Sequence, residues 1–110
     1  MNENRFKLSK DEITQLIAPI GSCIATDKIT VDGLPVGHMH REEPNFAADS
    51  GWRFFSGVED QDYVDNPDNL KFYDVNTIAN YDPAIIPYLH LEIGSELERT
   101  NDNTFKTINS

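Results

Sequence analysis

The residues best suited to hold a metal are His38 and His40, set one residue apart in Gly37-His38-Met39-His40-Arg41. Side chains alternate along a strand, so both imidazoles project to one face and Glu42 follows on it. Zinc sites use such donors, but they require at least a third protein ligand. His90 is remote in the chain and assures none. The pair therefore reads as solvated or hydrogen-bonded histidines, and no metal or other cofactor is expected. The acidic run of Glu59, Asp60, Asp62, Asp65 and Asp68 raises a calcium loop instead. Asp60 and Asp62 suit its first two ligand positions. Val64 then falls on the fifth, Asp65 on the obligatory glycine and Lys71 on the bidentate glutamate, so the loop fails.

Covalent chemistry finds no better footing. Ser50-Gly51 and Ser56-Gly57 are turn pairs without the Gly-x-Ser-x-Gly setting of a nucleophile elbow. Cys23 stands beside Ile24 and Ala25 and reads as a small core residue, as free cysteines often are. There is no glycine-rich phosphate loop. Arg53 is distinctive because it lies among Trp52, Phe54 and Phe55, where an unpaired charge is costly. It needs a carboxylate, with Asp49, Asp74 or Glu59 within plausible reach. A paired, partly buried arginine is the first reading and a ligand contact the second. The sequence points away from an enzyme.

The element that must position these groups is 49–57, Asp-Ser-Gly-Trp-Arg-Phe-Phe-Ser-Gly, with the chain's one tryptophan. Trp52 and Phe54 share one face and Arg53 and Phe55 the other, as a strand inside a sheet requires. Before it, Ser9 and Glu12 form a capping box, flanked by Leu8 and Ile13 as a hydrophobic staple. Ile13, Leu16 and Ile17 predict an amphipathic helix ended by Pro19, behind a loose arm over 1–7. A strand is expected over 22–26, interrupted by Asp27 and Lys28 and resumed over 29–31. Asp32-Gly33 turns the chain into a returning strand, 34–41, with Val36, His38 and His40 on one face. Residues 45–50 form a loop with Phe46 tucked back.

In the second half, Asp60 caps a helical turn with Tyr63 and Val64, and Asn66-Pro67 sets another. Asp74 caps a helix over 75–81. Asp82-Pro83 opens a turn over 84–86, limited by Pro87. Residues 88–93 are extended, 94–98 begin the last strand, and a turn at 101–103 leads to an edge over 105–108. The fold class is α+β: an antiparallel sheet of short strands, an N-terminal helix and short helical turns in the second half. Residues 1–21 form the arm and helix, 22–99 the core domain and 100–110 the C-terminal turn and edge, all one globular unit.

Composition narrows the partners. The 110 residues carry a formal charge of −10, with 19 acids against 9 lysines and arginines. Phosphate backbones need clustered cations, so nucleic acid is excluded as a direct ligand. A basic protein partner fits the charge. No apolar run approaches the length of a membrane span, and nothing near Met1 resembles a signal peptide, so a cytoplasmic location is expected. One cysteine excludes an internal disulfide.

Several stretches together resemble one bacterial family. They are Ser22-Cys23-Ile24-Ala25-Thr26-Asp27-Lys28-Ile29, Pro35-Val36-Gly37-His38-Met39-His40-Arg41-Glu42-Glu43-Pro44, residues 49–57, Asp65-Asn66-Pro67-Asp68-Asn69, Tyr73-Asp74-Val75-Asn76-Thr77-Ile78 and Asp82-Pro83-Ala84-Ile85-Ile86-Pro87-Tyr88-Leu89. The chain is similar over 22–99 to a domain of unknown function also called the immunity protein 33 domain. His40 departs from the aromatic residue expected before Arg-Glu-Glu-Pro, which argues further against a metal pair. The resemblance implies a non-catalytic cytosolic antidote that neutralises a cognate polymorphic toxin by stoichiometric binding. The alternatives are an accessory or regulatory binding domain and, behind it, a metal-dependent enzyme using His38 and His40. The expected contacts lie on the acidic loops 42–49 and 59–68: Glu42, Glu43, Asp49, Arg53, Glu59, Asp60 and Asp62.

Overall fold

The computed structural model describes residues 6–101 and 103–108. A six-stranded sheet organises them. In chain order the strands are β1 (Ser22–Thr26), β2 (His38–Arg41), β3 (Asp49–Phe55), β4 (Leu70–Asp74), β5 (Glu96–Arg99) and β6 (Phe105–Thr107). The helices are α1 (Asp27–Thr30), α2 (Gln61–Asp65) and α3 (Val75–Tyr81), with 3-10 turns at Lys10–Glu12, Pro67–Asn69 and Pro83–Tyr88. The spatial order is β4-β1-β3-β2-β5-β6. The class is α+β as expected, but the sheet is mixed. β3 slots between β1 and β2 and runs parallel to β1, while every other pair is antiparallel. Parallel pairing favours a strand covered on both faces, and β3 is buried from Asp49 through Phe54.

One face of the sheet carries the core. Cys23, Ala25, Met39, Trp52, Phe54 and Leu97 point into it and meet Val75, Ile78 and Ala79 of α3 and Ile85 of the following 3-10 turn. Trp52 is fully buried, stacks on Phe54 at 6.0 Å and donates its indole N–H to Leu89 O at 3.2 Å. The caps read from sequence hold this layer in place. Asp74 accepts from Asn76 N–H at 3.0 Å and Asp82 from Ala84 N–H at 3.2 Å, each meeting an orphan donor of a first turn.

The N-terminal helix is not formed. Glu12 does accept the Ser9 N–H at 2.7 Å, but only the 3-10 turn at Lys10–Glu12 results. The chain beyond finds stronger partners across space. Asn76 Oδ1 accepts from Leu16 and Ile17 N–H at 2.7 and 3.2 Å, Asn80 Oδ1 accepts from Thr14 N–H at 3.0 Å, and both amides donate to Thr14 O. Asn76 and Asn80 are four apart on α3, so they line one side of it. Only Ile17 of the predicted apolar stripe packs on the core, and Leu16 is 45% exposed. Residues 1–5 of the arm expected to be loose lie outside the described residues. Its last two are docked: Phe6 packs edge-on against Tyr73 at 6.2 Å, and Lys7 N–H donates to Thr30 O at 2.7 Å.

Three further differences concern where the chain turns. Residues 29–31 do not resume a strand. α1 turns both Ile29 and Thr30 inward, which alternation would forbid. The returning strand begins only at His38. Val36 lies before it, fully buried, away from the histidine face, with its N–H on Asp82 Oδ2 at 2.9 Å. The 3-10 turn continues through Pro87 to Tyr88, where an extended segment was expected. Conversely, β4 is a strand that alternation does not announce, because Phe72 on it is 53% exposed. The C-terminal turn and edge are present in β5 and β6, apart from Asp102, which lies outside the described residues.

Candidate functional site

The polar residues of interest gather on the opposite face of the sheet, where Val64 of α2 reaches in beside His38 and Phe55. The first feature of this face is a buried ion-pair node. Arg53 is 3% exposed; Nη1 and Nη2 donate to the two carboxylate oxygens of Asp49 at 3.0 and 2.7 Å, and Nε donates to Glu42 at 2.7 Å. In an unbroken strand, residues four apart stand roughly 13 Å apart. Here β3 carries two extra residues against β1 between the pairs Ser22–Asp49 and Ile24–Arg53. Gly51 makes this bulge possible: its φ is +91°, and a Cβ there would sit 2.2 Å from Glu42 O. Hydrogen bonds from Arg53 hold the Asp49 carboxyl well below its ordinary value, against the opposing effect of burial, and the N–H groups of Asn45 and Gly51 add to them. The first reading of Arg53, a paired and buried charge, is the one seen. Of the carboxylates considered for it, Asp49 serves, Asp74 and Glu59 do not, and Glu42 joins from across the sheet.

Beside the node lies a shallow trough. Register places His38 between Phe55 and Glu98, and His40 between Arg53 and Glu96. The His40 ring stacks on Phe55 at 5.9 Å and 13°, and the two imidazoles are 5.6 Å apart. His38 Nε2 lies 2.8 Å from Glu96 Oε2, and His40 Nε2 lies 3.6 Å from Glu42 Oε1. Burial lowers the pKa of His40 below its ordinary value, although Glu42 pulls the other way. Among the described residues, no three His, Cys, Asp or Glu side chains form a group that could hold a metal. Cys23 is buried in the core, where desolvation pushes its thiol pKa up.

The remaining acidic residues divide sharply. Glu59 is a structural group: it accepts from Thr26 Oγ1 at 2.5 Å and from Ser56 and Gly57 N–H at 2.9 Å. Burial raises its pKa, but these bonds outweigh that and the net value is lowered. Asp60 caps α2 through Tyr63 N–H at 2.8 Å while remaining exposed. Glu43 and Asp62 are exposed. The two acidic loops stand at opposite ends of β3. What joins them is the trough. His38 and His40 line both its halves, one closed by Glu42, Glu43 and Glu96, the other by Phe55, Glu59, Val64 and Glu98. Sequence reasoning missed Glu96 and Glu98. Their alternation about Leu97 is visible, but only the β2–β5 register sets them beside the histidines.

Fold and surface together define a small α+β domain with an open, carboxylate-rimmed sheet face. The chain belongs to the family of the Immunity protein Imm33 domain, which it matches over residues 23–109. That span runs from β1 through β6 and so includes the C-terminal hairpin. No curated protein and no solved structure matches the chain. Among the described residues, no helix is long and apolar enough to cross a membrane.

Proposed function

We propose that the protein is a non-catalytic bacterial immunity protein that acts in the cytoplasm by binding one cognate toxin stoichiometrically and blocking its active site or substrate groove. Membership of the immunity domain family carries this reading. The charge of −10 supports a basic toxin domain as partner, because complementary fields speed encounter and reject wrong partners. Exposed Glu42, Glu43, Asp60 and Asp62 are the contact residues of the two acidic loops. Asp49 and Arg53 serve the contact by fixing Glu42, and Glu59 by fixing the turn into α2. A rigid scaffold carrying such loops suits an inhibitor, which needs no reaction centre of its own.

The test is capture from the producing bacterium with tagged protein, identification of the partner by mass spectrometry, and titration of that partner's purified activity. Inhibition complete at one equivalent is the expected result. A captured partner that stays fully active when saturated would make this an accessory binding domain instead.

A further inference from the structure

The trough between the two acidic loops has the shape and charge of a docking surface, and its chemistry selects one kind of occupant. We propose that the open face of β2, β3 and β5 receives an arginine-bearing segment of a protein partner, with His38, His40 and Phe55 as its floor and Glu43, Glu96 and Glu98 as its rim. This rests on the reading that the protein works by binding, and it moves the centre of contact from the loops to the sheet face between them.

Four observations lead there. The trough is open along its length, with about 390 Å³ in the half beside Phe55, so it suits a protruding segment better than an enclosed small molecule. Its floor is aromatic: the His40 and Phe55 rings lie nearly parallel, and the His38 ring is tilted to both by about 55°. Its rim is negative: Arg53, the cation beneath it, is already matched by Asp49 and Glu42. Arg41 at the Glu43 end is turned to backbone, donating to Ser50 O and Leu91 O. Glu98 is exposed and makes no side-chain hydrogen bond or ion pair among the described residues, with Lys106 opposite it on β6 as the nearest cation in register. A guanidinium meets all of these at once. Its planar face stacks on imidazole and phenyl rings, while its edge donates in a fork to carboxylates. A lysine supplies the charge without the plane.

The probe is a hexa-arginine peptide added to the full-length protein, read by backbone amide chemical shifts at low and moderate salt. The largest shifts are expected at 38–42, 53–55 and 96–98, with hexa-lysine binding more weakly. Glu98→Lys should weaken the arginine peptide roughly three- to tenfold. Asp11→Lys in the Lys10–Glu12 turn, the same charge change at an exposed residue outside the trough and both acidic loops, should alter it less than twofold. Melting curves of both variants confirm that the fold is kept. Shifts centred on 60–68, equal losses in both variants, or no binding at low salt would overturn the proposal. The captured partner separates the two readings. If it binds Glu98→Lys as tightly as the wild type, the sheet face is not the docking surface although the binding function stands.

Discussion

Along β3, Trp52 and Phe54 turn to one face of the sheet and Arg53 and Phe55 to the other, and the two pairs obey different physics. On the covered face, apolar groups are packed under α3 and its neighbours, and stability scales with apolar area removed from water. On the open face, Arg53 is as buried as the core residues but is held by fixed geometry: two carboxylates, a bulge and a glycine. A charge taken from water gains little net stability even when well paired, and it costs heavily when a partner is removed. The covered face therefore supplies stability. The open face uses an expensive node to fix the loop carrying Glu42 while leaving Glu43 and Glu98 exposed at the surface.

Substitutions can break or sharpen this contrast. Trp52→Ala should have the largest effect, about 3–5 kcal/mol, since it empties a fully buried site. Urea unfolding checks it, and a loss below about 1 kcal/mol would mean that the core is not organised on β3. Wild-type tryptophan emission should be blue-shifted and protected from quenchers.

Asp49→Asn comes next, at about 2–4 kcal/mol, because Arg53 keeps Glu42 but loses the Asp49 charge and one of its two acceptor oxygens, with an amide N–H group put in its place. It should also flatten the acid limb of stability. The folded Asp49 has a lowered pKa, so its contribution is present above the ordinary aspartate value of 3.8 and is lost as pH falls toward the depressed folded one. Wild type should lose stability over that acid range more steeply than the variant. Parallel pH curves would remove Asp49 from the account.

Asn76→Ala should cost about 1–2 kcal/mol, since the backbone of Thr14, Leu16 and Ile17 loses partners that water only partly replaces. Faster amide exchange at Leu16 and Ile17 is the specific signature. Unchanged exchange there would show that the segment is held by packing alone.

The smallest effect on stability belongs to the combined change Glu43→Gln and Glu98→Gln, within about 0.5 kcal/mol for exposed side chains. The same pair should slow association with a basic partner and flatten its salt dependence, leaving dissociation less changed. A marked drop in melting temperature instead would mean that the open face is structural too.

Some of this was legible because the governing interactions span only a few residues. Asp60, Asn66, Asp74 and Asp82 each cap the turn that follows, as their spacing indicated. The alternation in Trp-Arg-Phe-Phe assigned the two faces of β3, and the family motifs pointed to the immunity domain that the chain matches. Local signals misled where a distant group outbid them. The Ser9–Glu12 box is formed, yet no helix grows from it, because Asn76 and Asn80, about 60 residues away in the chain, satisfy the backbone of 14–17.

The sequence by itself therefore determined the α+β class, the caps, the core face of β3 and the need of Arg53 for a carboxylate. The tertiary structure alone decided which carboxylates answered. The bulge at Gly51 folds Asp49 back onto Arg53, and the strand order brings Glu42 in from β2's far end and Glu96 and Glu98 in from β5. Such choices depend on strand order and register, which join residues far apart in the chain, and no spacing along the sequence records them.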